Sequence, residues 1–309
     1  MSIRFSAVSS AIAAAGFVET PAPSERGRLF VSTALPCAPL PDREVFVWTP
    51  DGWDGETALP VLYAQDGQNL FDANRVAYGA AWEIDACLSR LTERGLAPPI
   101  LVVGVACAQN RLAEYAPQPI LQRASPPTRA AVDAAWGRLP PAGGYAALLV
   151  ERIKPIVDQA FATRRAANST FVLGSSMGGV AALEILARYP DRFGGVAALS
   201  AHLSLLPVDG TEVIPQDFAA DVATAVGAFV NDEMPPAGRH RIWLDRSARD
   251  IDRHYDPSHD ALIAALVAKG YRPGVDLQRR VYAGVGHNEA AWRDRLEDVL
   301  TFLLAEVPA

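Results

Sequence analysis

The chain is short of cysteine. Three occur in 309 residues, Cys37, Cys87 and Cys107. An odd, widely spaced set makes no disulfide framework, and no Cys-x-x-Cys or histidine-rich cluster offers the ligand spacing of a zinc site. The three read as small buried hydrophobes. Basic charge is also scarce. Lys and Arg number 28 against 35 Asp and Glu, a net charge of −7. Binding phosphate needs a basic surface, so this balance disfavours a nucleic-acid footprint. No apolar run approaches the ~20 residues that cross a bilayer. The opening "MSIRFSAVSSAIAAAGFV" carries one Arg and an Ala- and Ser-rich stretch, not the leucine-rich core of a secretory signal. It reads as an ordinary N-terminal segment with a short amphipathic helix, and the chain as cytoplasmic.

Apolar residues are plentiful: they make up 50% of the chain. That supplies a sizeable core and argues against long disorder. No stretch has the length and polarity of a linker, so residues 1–309 read as one domain. Short apolar runs bounded by turn residues predict strands at 44–50, 60–65, 100–106, 170–174, 196–200, 241–245 and 279–284. "ILVVGVA" and "VAALS" are nearly continuous runs, as in strands covered on both faces. Helical spacing falls at 80–95, 145–161, 177–190, 258–271 and 289–307, with Pro155 marking a kink or restart. Strand and helix in alternation predict an α/β fold, a mostly parallel central sheet with helices on both faces. Residues 116–144 are rich in Pro, Ala and Gly and read as a surface excursion or small cap.

One short stretch carries chemistry. "GSSMGG" (174–179) follows an apolar strand and opens a helix. Gly174 to Gly178 match G-x-S-x-G with Ser176 in the middle, in the strand–turn–helix context that the motif requires. Gly and Ser gather at many such turns, so the flanking elements give the match its weight. Only Ser176 has glycine at both −2 and +2, which leaves Ser175 as a packing or turn residue. A serine hydroxyl needs a base, and the base needs an acid. Of five histidines, His287 lies in a Gly-rich loop just after a strand and before the final helix, the place for a base in such a sheet. His202 leaves little chain between itself and the serine for an acid, and His254 and His259 read as solvated. The acid should follow the strand "RIWLD". Asp245, Asp250, Asp252 and Asp256 are all candidates, and spacing does not choose among them. The oxyanion hole takes the Met177 N–H, just after the nucleophile, and a second N–H from the loop "DGQNLFD" near Gln68.

These residues resemble the enterochelin-esterase-like branch of the α/β-hydrolases. That branch includes siderophore, feruloyl and acetyl-xylan esterases, S-formylglutathione hydrolases and mycolyltransferases. The matching stretches are "LYAQDGQNLFD", "AAWEIDACLSRL", "VVGVACAQNRLAEYAP", "GSSMGGVAALEILARYPDRFGGVAALS", "IWLDRSARDIDRHYDPSHDALIAALVAKGY" and "GVGHNEAAWRDRL", across residues 44–303. The resemblance implies Ser176 as nucleophile and His287 as base. In the family the acid stretch has Gly-Thr, a short variable run, Leu-Asp, and a Tyr three residues on. Ile251-Asp252 and Tyr255 fit it, which favours Asp252. Ser247-Ala248 stand where Gly-Thr is expected, which keeps Asp250 as an alternative. Arg111, Glu114 and Tyr115 match a further family stretch, as pocket-shaping residues or as an ion pair and a buried ring. Trp82 and Trp292 read as core.

The implied activity is hydrolysis of a small-molecule carboxylic ester through an acyl-enzyme, with no metal or organic cofactor. The alternatives are an acyltransferase on the same triad and an inactive binding relative. No nucleic-acid or membrane partner is expected, and a homodimer is left open.

Overall fold

The computed structural model describes residues 10–76, 79–137, 144–206 and 213–305. Its strands are β1 (Val18–Thr20), β2 (Arg28–Leu35), β3 (Arg43–Thr49), β4 (Val61–Gln65), β5 (Leu101–Val105), β6 (Thr170–Ser175), β7 (Gly195–Leu199), β8 (Arg241–Ser247) and β9 (Leu277–Tyr282). They form one sheet in the order β1-β2-β3-β5-β4-β6-β7-β8-β9. Pairings from β1 to β5 are antiparallel, and from β5 to β9 all are parallel. Strands were expected at all of these positions except β1 and β2.

The central strands β4, β5, β6 and β7 are buried along their whole length. Their apolar residues divide by the two-residue period of a strand. Val61 and Tyr63 join the core layer on one face, Leu62 and Ala64 the layer on the other. At one edge, β9 carries exposed Arg279 and Arg280. Charge there discourages pairing with another chain.

Several helices differ from the expected spans. The predicted helix at 145–161 has a π turn at Leu148–Ile153 between α segments Gly144–Ala147 and Lys154–Ala160. Pro155 has no N–H for the carbonyl of Glu151, and its ring crowds that carbonyl, so the chain widens just ahead of it. The predicted helix at 289–307 divides into Glu289–Arg293 and Leu296–Leu304. The break lets Arg295 turn inward, where it is 3% exposed. In the region 116–144 the helices Gln118–Arg123 and Pro126–Trp136 form, the second capped by Ser125. They pack on the long helix Gln216–Glu233, with Arg123 paired to Asp232 at 2.9 Å. Ile120, Leu121, Val132 and Trp136 are buried core residues, and positions 138–143 lie outside the described residues. At the N-terminus residues 10–14 are helical, as expected, and 1–9 are outside the description. Among the described residues no helix is long and apolar enough to cross a membrane.

Because β4 to β9 are parallel, their carboxyl ends share one edge. Register brings Gln65 beside Val105, Ser175 beside Leu199, and Ser247 beside Tyr282. The loops that leave this edge carry the candidate site.

Candidate active site

Ser176 sits between β6 and the helix Met177–Arg188 with φ 55° and ψ −125°. For a residue with a side chain this is a strained conformation, costing ~1–3 kcal/mol, and it persists only where the surroundings fix it. Two glycines make it fit. A Cβ at Gly174 would stand 2.2 Å from the Gly178 carbonyl oxygen, and one at Gly178 would stand 2.9 Å from Asp66 Oδ2. The Ser176 N–H donates to the Leu199 carbonyl at 2.9 Å, which ties the turn to β7. Ser175 remains buried inside β6.

His287 closes on this serine. Its Nε2 is 3.0 Å from Ser176 Oγ, and its Nδ1 is 2.5 Å from Asp252 Oδ1. An Nδ1–H donated to the carboxylate leaves Nε2 to accept from the hydroxyl. Trp292 and the imidazole meet edge to face, with centroids 5.0 Å apart and planes at 83°. Asp252 is fully buried. Its Oδ2 accepts from Ser200 Oγ and from the Ser247 N–H, each at 2.6 Å. Burial by itself raises this carboxyl. The hydrogen bond and charge of His287, with the Ser200 and Ser247 donors, outweigh it and hold the group at about 2, so it is ionised.

The other candidate acids lie elsewhere. Asp250 accepts the His287 backbone N–H at 3.0 Å and does not meet the ring. It fills the space where a Cβ at Gly286 would come within 2.4 Å of its Oδ2. Asp245 is buried with Trp243 Nε1 at 2.8 Å and Arg295 at 3.0 Å. Asp256 pairs with Arg246 near the surface. The remaining histidines have structural partners. His202 accepts from the Tyr255 hydroxyl at 2.7 Å and donates to the Leu206 carbonyl at 2.8 Å. Burial, then the charge of His287, pushes it down to about 3, so it is neutral. His259, expected in solvent, is buried and donates to the Ala201 carbonyl at 2.9 Å.

The cleft over Ser176 measures about 790 Å³, with walls that include Gln68, Asn69, Arg111, Glu289 and Trp292. Arg111 grips Asp66 with two bonds of 2.7 Å, and Glu114 forms a buried pair with Arg43. Asp66 has φ 55°, and a Cβ at the following Gly67 would stand 2.5 Å from the Gly104 carbonyl carbon. Gly67 therefore lets the Gln68 turn press onto β5. The Gln68 side chain is held on Cys107, whose N–H donates to its Oε1 at 3.2 Å. Burial pushes the Cys107 thiol up to about 11, so it stays protonated. Trp82 and Trp292 are both buried, 5.9 Å apart. Trp292 is core and cleft wall at once.

Sequence reasoning missed Ser200, Ser247 and Arg295. Ser200 donates to Asp252 and accepts from Arg295 Nη2 at 3.0 Å, and Arg295 also pairs with Asp245. A contact that spans 95 residues has no local pattern. The break that turns Arg295 inward was not read from the sequence, which predicted one helix over 289–307.

An open, mostly parallel sheet carrying a strand–turn–helix serine, with a histidine and an acid beyond later strands, defines an α/β-hydrolase fold. Residues 38–303 match the family described as "Putative esterase". The chain belongs to that family. It is similar to the uncharacterized protein YbbA of Bacillus subtilis, 23% identical over 52% of this chain and 56% of that protein. Among solved structures it resembles enterochelin esterase from Shigella flexneri, at TM-score 0.59 and 19% identity over 93% of this chain and 58% of that one. It also resembles a ferulic acid esterase, at TM-score 0.62 and 18% identity over 92% and 99% of the two chains. The chain thus spans little more than half of YbbA and of the Shigella enzyme, and nearly all of the ferulic acid esterase.

Proposed function

We propose that the protein hydrolyses small carboxylic esters through an acyl-enzyme on Ser176. The observation that carries this reading is the imidazole of His287, 3.0 Å from Ser176 Oγ on one side and 2.5 Å from buried Asp252 on the other. Ser176 Oγ attacks the ester carbonyl carbon and passes its proton to His287 Nε2. Asp252 holds the reactive tautomer and stabilises the imidazolium. The carbonyl oxygen, now an oxyanion, is held by the N–H groups of Met177 and Gln68. Both lie in the first turn of a helix, Met177 as its first residue and Gln68 as its second, so neither has an acceptor within its own helix. Each such donor lowers the barrier by about 3–4 kcal/mol. His287 then gives its proton to the leaving oxygen, the C–O bond breaks, and the alcohol departs. Water repeats the sequence on the acyl-enzyme and releases the acid.

Acid-quenched mixtures with p-nitrophenyl acetate, taken for intact-mass and peptide analysis, test this reading. An acetyl group should appear on the Ser176 peptide and vanish in Ser176→Ala. Turnover without that adduct, or an adduct elsewhere, contradicts it. With an alcohol acceptor added, the free acid should remain the main product. A dominant transfer product would make the protein an acyltransferase.

A further inference from the structure

A second cavity, of about 490 Å³, adjoins the catalytic cleft. That lies within the ~300–1,000 Å³ of small-molecule sites. It runs across the strands. Val18 stands opposite Val31, Val31 opposite Phe46, and Phe46 opposite Gly104. At ~4.8 Å per strand these three steps cover about 14 Å. Gly67 closes against Gly104 at the inner end, and the Phe71 ring lies 6.1 Å from Phe46. Val31, Phe46 and Phe71 make an apolar floor, and Val18, 68% exposed, ends it. Glu44, Asp72 and Arg75 also line the groove; Arg75 pairs with Glu44 at 2.5 Å and lies over the Phe46 ring, so its guanidinium covers part of that floor. Gln68 and Arg75 line both this groove and the cleft over Ser176, so the two meet at these side chains.

Direction decides which part of an ester would lie here. His287 reaches Ser176 from the β8–β9 side, and the groove leaves it on the β5–β3–β2–β1 side. In the tetrahedral intermediate the leaving oxygen must face His287, and the oxyanion must face Met177 and Gln68. The substituent left over is the acyl chain. We propose that this groove is an acyl subsite, and that the protein selects esters of extended, unbranched apolar acids over acetyl esters. The proposal rests on the esterase reading and names its substrate class.

The test compares p-nitrophenyl octanoate, p-nitrophenyl acetate and octyl acetate as substrates, and octanoate as a ligand. Each methylene taken into the groove should raise kcat/KM by roughly fourfold until the groove is full. Thr33, exposed on the groove wall, tolerates a larger side chain. Thr33→Trp should lower the octanoate-to-acetate ratio of kcat/KM by at least about tenfold. Val18→Trp should act in the same direction from the far end. Octyl acetate, whose chain is on the leaving side, should keep its ratio to p-nitrophenyl acetate in both variants. A ratio for octanoate that neither variant lowers, or a loss confined to octyl acetate, overturns the acyl subsite. Calorimetry separates this from the esterase reading. Ser176→Ala protein should bind octanoate and lose it when Thr33→Trp is added, with no turnover required. No octanoate binding to Ser176→Ala overturns the groove even if the wild type labels and turns over at Ser176.

Discussion

Asp250 and Asp252 are two residues apart and do different work at His287. Asp250 holds the loop by the backbone N–H, and Asp252 holds the ring at Nδ1. Removing one acceptor charge at Nδ1 allows the wrong tautomer, with the geometry kept. Asp252→Asn should therefore lower kcat on p-nitrophenyl acetate by ~10⁴. Asp250→Asn keeps an oxygen for the His287 N–H and should lower kcat far less. Steady-state rates of the two purified variants check this, and equal losses would contradict the division of labour. Ser176 and His287 were legible as residues because a glycine pattern and a post-strand loop mark them. The acid was not, since four carboxylates share one loop region and only the folded chain shows which of them meets the imidazole. The resemblance singled out Asp252 through Ile251 and Tyr255, and that is the carboxylate found at Nδ1. Ser247, standing where the family has Gly, donates its own N–H to Asp252 at 2.6 Å. A backbone donor is indifferent to that substitution.

At the scale of elements, the turn between β6 and its helix is set by close approach of backbones. Gly174→Ala places a methyl 2.2 Å from the Gly178 carbonyl oxygen, which no rotamer relieves. It should destabilise the protein by ~1–3 kcal/mol and depress activity with it. Gly227, inside the helix Gln216–Glu233, has open space around its would-be Cβ. Gly227→Ala should stabilise by ~0.5–1 kcal/mol and leave the site alone. Denaturant unfolding of both variants measures the contrast, and a harmless Gly174→Ala would refute the strained turn. The central strands were legible because continuous apolar runs announce burial on both faces. β1 is three residues long, too short for periodicity to register. The helix Gln216–Glu233 was overlooked although Val222, Val226, Phe229 and Val230 carry its buried stripe. Alanine and aspartate between them dilute the pattern. Residues 116–144 read as a surface excursion or small cap because Pro, Ala and Gly dominate the local signal. Burial of Val132 and Trp136 against distant helices is a tertiary matter.

For the whole molecule, a parallel sheet gathers what the sequence scatters. Ser176, Asp252 and His287 span 111 residues, yet each leaves the same carboxyl edge of the sheet. Alternating strands and helices made that gathering foreseeable. The cleft walls were less so. The Asp66–Asp72 loop contributes Gln68 and Asn69, and the opposite wall comes from Glu289 and Trp292 behind the histidine. The acyl groove depends on the antiparallel extension β1–β2–β3, where two strands escaped the sequence reading. The central claim is that one serine of the two in "GSSMGG" is activated by His287. A fluorophosphonate probe, with the modified peptide mapped by mass spectrometry, tests it most directly. Wild-type protein should label at Ser176, rapidly and stoichiometrically. Ser176→Ala should not label, and His287→Ala should label orders of magnitude more slowly. Labelling at Ser175, or a rate unaffected by loss of His287, would contradict the account.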